Sequence, residues 1–166
     1  MSIELLVEGE GLADVEVIRL PPGTAAGEIV IAVAAKGGFP AEEAVLFFED
    51  ADEPIDIAVA VVEESHAGRI HHVHRVRHVE VEVFYKEQRI ERRFRPAARV
   101  QRVLHWAVGP EGFKGIDPVI VPELELALHG TTTALPKNAH IGRYVQHHQP
   151  HLKLDLIRGV IPNGCP

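Results

Sequence analysis

Three groups of residues in this chain have types and spacings that can do chemistry. His71, His72, His74 and His78 fall within eight residues, and His147, His148 and His151 within five. In an extended strand His72, His74 and His78 share a face, a possible arrangement of metal-binding imidazoles. Zinc sites usually mix in cysteine or carboxylate at a fixed geometry, which the sequence does not show. These histidines therefore read as solvated strand and loop positions near a domain junction, and no metal is expected. The only cysteine, Cys165, has no predictable base or helix N-terminus to depress its pKa, so no catalytic role is expected for it and no internal disulfide is available. The third group is basic: Arg89, Arg92, Arg93, Arg95, Arg99 and Arg102. Few aromatics are interleaved and the chain is acidic overall, so they read as a solvated face or a docking face for an acidic protein, and nucleic acid is not expected. Phosphate-binding glycine loops, paired catalytic carboxylates and nucleophile elbows are missing, which argues against an enzyme and against a cofactor.

The elements that position these residues follow from periodicity. Ile3, Leu5 and Val7 alternate with Glu4, Leu6 and Glu8 as a half-buried strand, and Val15 to Leu20 returns as its hairpin partner after Gly9-Glu10-Gly11. Pro21-Pro22-Gly23-Thr24 stops that strand and offers Thr24 as N-cap of a helix over 25–36, ended by Gly37-Gly38. Short strands are expected near 44–48 and 55–62, and a last one from Ile70 to Arg77. A second set then begins. Val79, Val81 and Val83 alternate with Glu80 and Glu82, Lys86-Glu87-Gln88 turns, and Arg89 to Phe94 returns. Pro96 opens a helix through Val108 with Val100, Val103, Leu104 and Ala107 as its buried stripe. A strand over Glu123–Leu128, a helical turn over Ala139–Val145 and a closing strand carrying Leu152, Leu154 and Leu156 complete it.

The two sets are copies. Leu20, Pro22, Ile29, Val30, Gly38 and Phe39 reappear 74 positions later as Phe94, Pro96, Val103, Leu104, Gly112 and Phe113. That period exceeds the roughly 20–50 residues of solenoid repeats and indicates a duplicated domain. Hairpin, helix, short strands, helical turn and closing strand are the order of a β-grasp domain. The expected class is therefore α+β: one β-grasp domain over 1–77, a second over 78–158, and a short irregular tail over 159–166. Nothing rich in proline, glycine or serine separates the copies, so their orientation should be restricted. The net charge of −7 is unevenly placed: residues 1–64 hold 15 acidic and 2 basic side chains, and residues 65–166 hold 9 acidic and 15 basic. Either the lobes attract one another or each faces a partner of opposite sign. No apolar run approaches the roughly 18 residues of a membrane span, and Met1-Ser2-Ile3-Glu4 lacks a signal peptide's basic start, so a cytoplasmic location without membrane partners is expected.

The tandem order resembles that of ubiquitin-like modifiers. It is similar to the two-domain interferon-induced modifier of vertebrates and, more closely, to the bacterial Bil-type modifiers of antiphage defence operons. The resemblance rests on Val79-Glu80-Val81-Glu82-Val83, Phe94-Arg95-Pro96, the helix Val100 to Val108, His140-Ile141-Gly142-Arg143-Tyr144, and Leu152-Lys153-Leu154-Asp155-Leu156 with Arg158. It implies a terminal glycine carboxylate that an ATP-dependent activating enzyme adenylates. A conjugating enzyme then joins it to target proteins through an isopeptide bond, and a peptidase processes or deconjugates it. Ubiquitin ends Arg-Gly-Gly; here the candidates are Gly159, after Arg158, and Gly164, before Cys165-Pro166. From Ile157 the backbone reaches roughly 23–25 Å to Gly164 but only about 7 Å to Gly159. Gly164 is therefore the expected conjugating residue, with Gly159 the alternative. Arg158, Ile161, Asn163, Arg92 and Arg93 are the expected partner contacts. The competing expectation is a non-conjugated β-grasp adaptor.

Overall fold

A computed structural model of the chain describes residues 1–159. The first domain contains β1 (Ile3–Gly9), β2 (Glu16–Leu20), α1 (Gly27–Gly37), β3 (Val45–Phe48) and β4 (Ile70–His74). The second contains β5 (Val79–Tyr85), β6 (Gln88–Phe94), α2 (Val100–Val108), β7 (Leu124–Leu128) and β8 (His151–Arg158). Each set forms one four-stranded mixed sheet, ordered β2-β1-β4-β3 and β6-β5-β8-β7. In both, the first strand runs parallel to the last at the centre and a hairpin partner lies on its other side. This is the β-grasp arrangement, and the expected α+β class holds.

Alternation places one face of each sheet against its helix. Ile3, Leu5, Val7, Leu46 and Val73 meet Ile29, Val30, Val33 and Ala34 of α1. Val79, Val81, Val83, Leu126, Leu154 and Leu156 meet Val100, Val103, Leu104 and Ala107 of α2. The buried stripe of α2 is the one its spacing predicts.

Both helices begin later than expected, for the same reason. Thr24 is not a cap: its hydroxyl donates to the Pro21 carbonyl at 2.6 Å, and the N-cap position falls on Ala26 without side-chain help. The preceding backbone is engaged elsewhere. Gly23 and Ala26 donate to the carbonyls of Val62 and Ala60, and Val62 donates to Thr24. The strand expected over 55–62 is reduced to this contact, with a single bridge between Ala25 and Val61. In the second domain Arg99 bridges His140, Val100 and Gln101 donate to Ala139 and Lys137, and Ile141 and Gly142 donate to Ala98 and Pro96. Extended pairing thus holds residues 96–99 out of the helix that Pro96 was expected to open. The strand expected to reach Arg77 stops at His74, because the Arg75 side chain turns to Glu10 at 2.6 Å and Val76 enters the second core.

Leu154, fully buried at the centre of the second core, tests this packing. Leu154→Ala should cost about 2–5 kcal/mol, read as a lowered thermal midpoint; an unchanged midpoint would place β8 elsewhere.

Candidate functional site

The C-terminal end of β8 is the first site the sequence singles out. Arg158 pairs opposite Leu124, and its guanidinium is held by the Glu123 carboxylate, with Nε donating at 2.5 Å. Gly159 donates its N–H to the Glu123 carbonyl at 2.7 Å, and an added Cβ would lie 2.6 Å from a Glu125 carboxylate oxygen. Gly159 is therefore tied to β7 through its backbone, with the Glu125 carboxylate beside it. Gly164, Ile161, Asn163 and Cys165 lie outside the described residues.

The arginines do not form one open face. Arg99 donates from its backbone N–H and its Nε to the two carboxylate oxygens of Asp50, at 2.8 and 2.5 Å. Arg102 reaches the Asp50 carbonyl at 2.7 Å and the Asp52 carboxylate at 2.6 Å, and Arg95 donates to the Asp52 carbonyl at 2.7 Å. Asp50 in turn donates its N–H to Ala97 at 3.0 Å. Half of the arginines read as a solvated or docking face are thus occupied by the acidic first domain, and the uneven charge works as attraction between the lobes. Burial raises the Glu49 pKa, and the nearby Arg99 opposes that rise. On the second sheet's outer face Arg93 pairs with Glu80 at 2.7 Å, and Arg89 with Glu82 and Glu91. Arg92 lies over the Phe94 ring at 4.8 Å and lines an open groove of about 460 Å³ with Trp106, His105 and Pro110.

The histidines give the largest departure from expectation. Val7 and Val73 face the first core, so alternation turns Glu8, His72 and His74 to the opposite face of that sheet. Val45 and Phe47 share that face as register partners of His74 and His72. The second domain covers it, with Ala97 packing on Val45 and Phe47. The bridge between Arg99 and His140 fixes the loop that presents His140, whose ring centroid lies 4.6 Å from that of His72 and 5.0 Å from that of His74. Gly142 is required beside it, since a Cβ there would lie 2.8 Å from His74 Cε1.

His72, His74 and His140 are therefore buried, not solvated. Burial drives the His72 pKa down to about 2 and that of His74 well below the ordinary imidazole value, with neighbouring rings adding to the effect. Both ring nitrogens of His72 and His140, and Nε2 of His74, lack a hydrogen-bond partner. Each such group costs about 1–3 kcal/mol. His78 does not join them; it lies beside Arg95 at 3.4 Å. The i, i+2 spacing of His72 and His74 was legible in the sequence, whereas His140 and Glu8 carried no local signal.

Two β-grasp domains, the second ending in a strand that delivers the chain at Gly159, form a ubiquitin-like fold. More particularly, residues 80–159 match the family model described as BilA ubiquitin-like domain 2. No curated protein matches the chain. Among the described residues no helix is long and apolar enough to cross a membrane.

Two predictions follow from the interface. Asp50→Ala should destabilise the protein by about 1–2 kcal/mol, allowing for partial exposure of its partners. The loss should shrink in high salt, as read by urea unfolding at two ionic strengths. The depressed histidines set the sign of the pH dependence. Below about pH 6.5 the unfolded chain binds protons that folded His72 and His74 refuse. Stability is therefore complete above that pH and falls as pH falls, by up to about 1.4 kcal/mol per unit for each ring. Equal unfolding midpoints at pH 7.5 and pH 5.5 would contradict neutral buried rings.

Proposed function

We propose that this protein is a Bil-type ubiquitin-like modifier acting in the bacterial cytoplasm in antiviral defence. Its substrate-like end is Gly164. A peptidase cleaves between Gly164 and Cys165, an ATP-dependent activating enzyme adenylates the freed carboxylate, and a conjugating enzyme passes it to an amine of a target protein. The modifier is handled by these enzymes and supplies no catalytic group itself. The units are 1–77, 78–158 and the conjugation tail 159–166.

One observation carries the choice of glycine. Gly159 is tied to Glu123 by its backbone N–H, so a carboxylate ending there would stay against the body of the domain. Five further residues extend the reach by roughly 16–18 Å, enough to enter a partner's channel. Glycine suits such a channel because it lacks Cβ and takes almost any φ/ψ. The match over residues 80–159 supports the family. The paired charges of the second sheet's outer face, together with Arg92, Arg93 and Arg158, offer the docking contacts, since the corresponding face of the first sheet is covered.

The test is intact mass and thioester formation after co-expression with the cognate enzymes. The processed protein should lose Cys165 and Pro166, and a chain truncated after Gly164 should be charged without the peptidase. Gly164→Ala should slow charging, and truncation after Gly159 should abolish it. Loss of everything beyond Gly159 would move the reactive end there. If no cut and no conjugate appear, the protein is a non-conjugated β-grasp adaptor.

A further inference from the structure

We propose that Glu8, His72, His74 and His140 form a four-ligand site for a divalent zinc ion that clamps the two domains together. The inference is independent of the modifier reading. Three imidazoles and one carboxylate form a donor set suited to closed tetrahedral zinc. One ligand nitrogen from each of the three histidines lies within 4.8 Å of the others. Glu8 supplies the neighbouring carboxylate: its Oε2 lies 2.7 Å from His140 Nδ1 and 3.6 Å from His72 Nδ1. Neither nitrogen makes a hydrogen bond there, so these atoms approach one another without the alignment that a shared proton requires. Zinc–nitrogen bonds of about 2.0–2.1 Å place ligand atoms roughly 3.3 Å apart.

The backbone explains why the ligands converge. His72 and His74 alternate onto one face of β4, and Glu8 is the register partner of His72 on β1. His140 comes from the second domain on a loop stitched to residues 96–101. Five unpartnered ring nitrogens in a dry interface need acceptors or an electrophile; a metal ion satisfies several at once. A narrow cleft lined by Glu8, Leu12, Asp14, His140 and Arg143 runs along one side of the site. Because all four positions are filled by protein, the ion is structural and leaves no open position for a substrate.

The test uses the full chain without a histidine tag. Chelator-treated protein is titrated with Zn²⁺ alone against a chromophoric competitor, and separately with Co²⁺. The expected result is one equivalent bound, with the intense visible bands of tetrahedral cobalt and a raised thermal midpoint. His140→Gln and His74→Gln should each weaken binding by at least about 100-fold, since even loss of an outer-shell partner costs 10–100-fold. A double variant, His147→Gln with His148→Gln, should bind as the parent does. Binding lost in that double variant but kept in His140→Gln would overturn the proposal, as would a weak octahedral cobalt spectrum or no tight equivalent in the parent. Should His140→Gln fail to fold, the parent's stoichiometry and cobalt spectrum decide the matter.

Discussion

A β-grasp sheet has two faces and a single helix to cover one of them. In the second domain the uncovered face carries Glu80, Glu82, Arg89 and Arg93 in cross-strand pairs and can meet water. In the first domain it carries Val45, Phe47, His72 and His74, which cannot be left wet without losing the packing they are built for. That face needs a cover, and the second domain supplies it through Ala97, His140 and Gly142. The other interdomain contacts follow from this. Once residues 96–99 lie on the first sheet, Arg95, Arg99 and Arg102 stand over Asp50 and Asp52, and the opposite charges of the lobes come within hydrogen-bonding distance.

The duplication shows how one scaffold was put to two uses. Ala25 and Arg99 are separated by the repeat period of 74, and each bridges the segment that precedes its domain's last strand. The partners are Val61 and His140. Val61 is 40% exposed, whereas His140 is buried against the first sheet. The same backbone contact thus ends at solvent in one copy and at the domain junction in the other. Delayed helix starts belong to the same device, because backbone groups that pair with a neighbouring loop cannot also begin a helix.

This geometry leaves the two domains with different exposed surfaces. The first domain spends its outer face on the second. The second keeps its outer face exposed and carries β8, which ends at Arg158. Arg158 and Gly159 are both held by Glu123, through its carboxylate and its carbonyl.

The sequence alone determined the class of fold. Alternation at Val79, Val81 and Val83, the 3.6-residue stripe of Val100, Val103, Leu104 and Ala107, and the 74-residue repeat are local signals, because each reflects how neighbouring side chains divide between core and water. It also showed that His72 and His74 share a face. What it could not show was which side of a sheet would be covered by another domain. Residues on the outer face of a lone β-grasp sheet read as solvated, and Arg99 or Arg102 reads as a free cation, until a surface more than 40 residues away along the chain closes over them. His140 and Glu8 have no periodicity in common with His72 and lie far from it in sequence. Only tertiary packing, driven by the need to bury Phe47 and Val45 and guided by opposite charge, brought the four together.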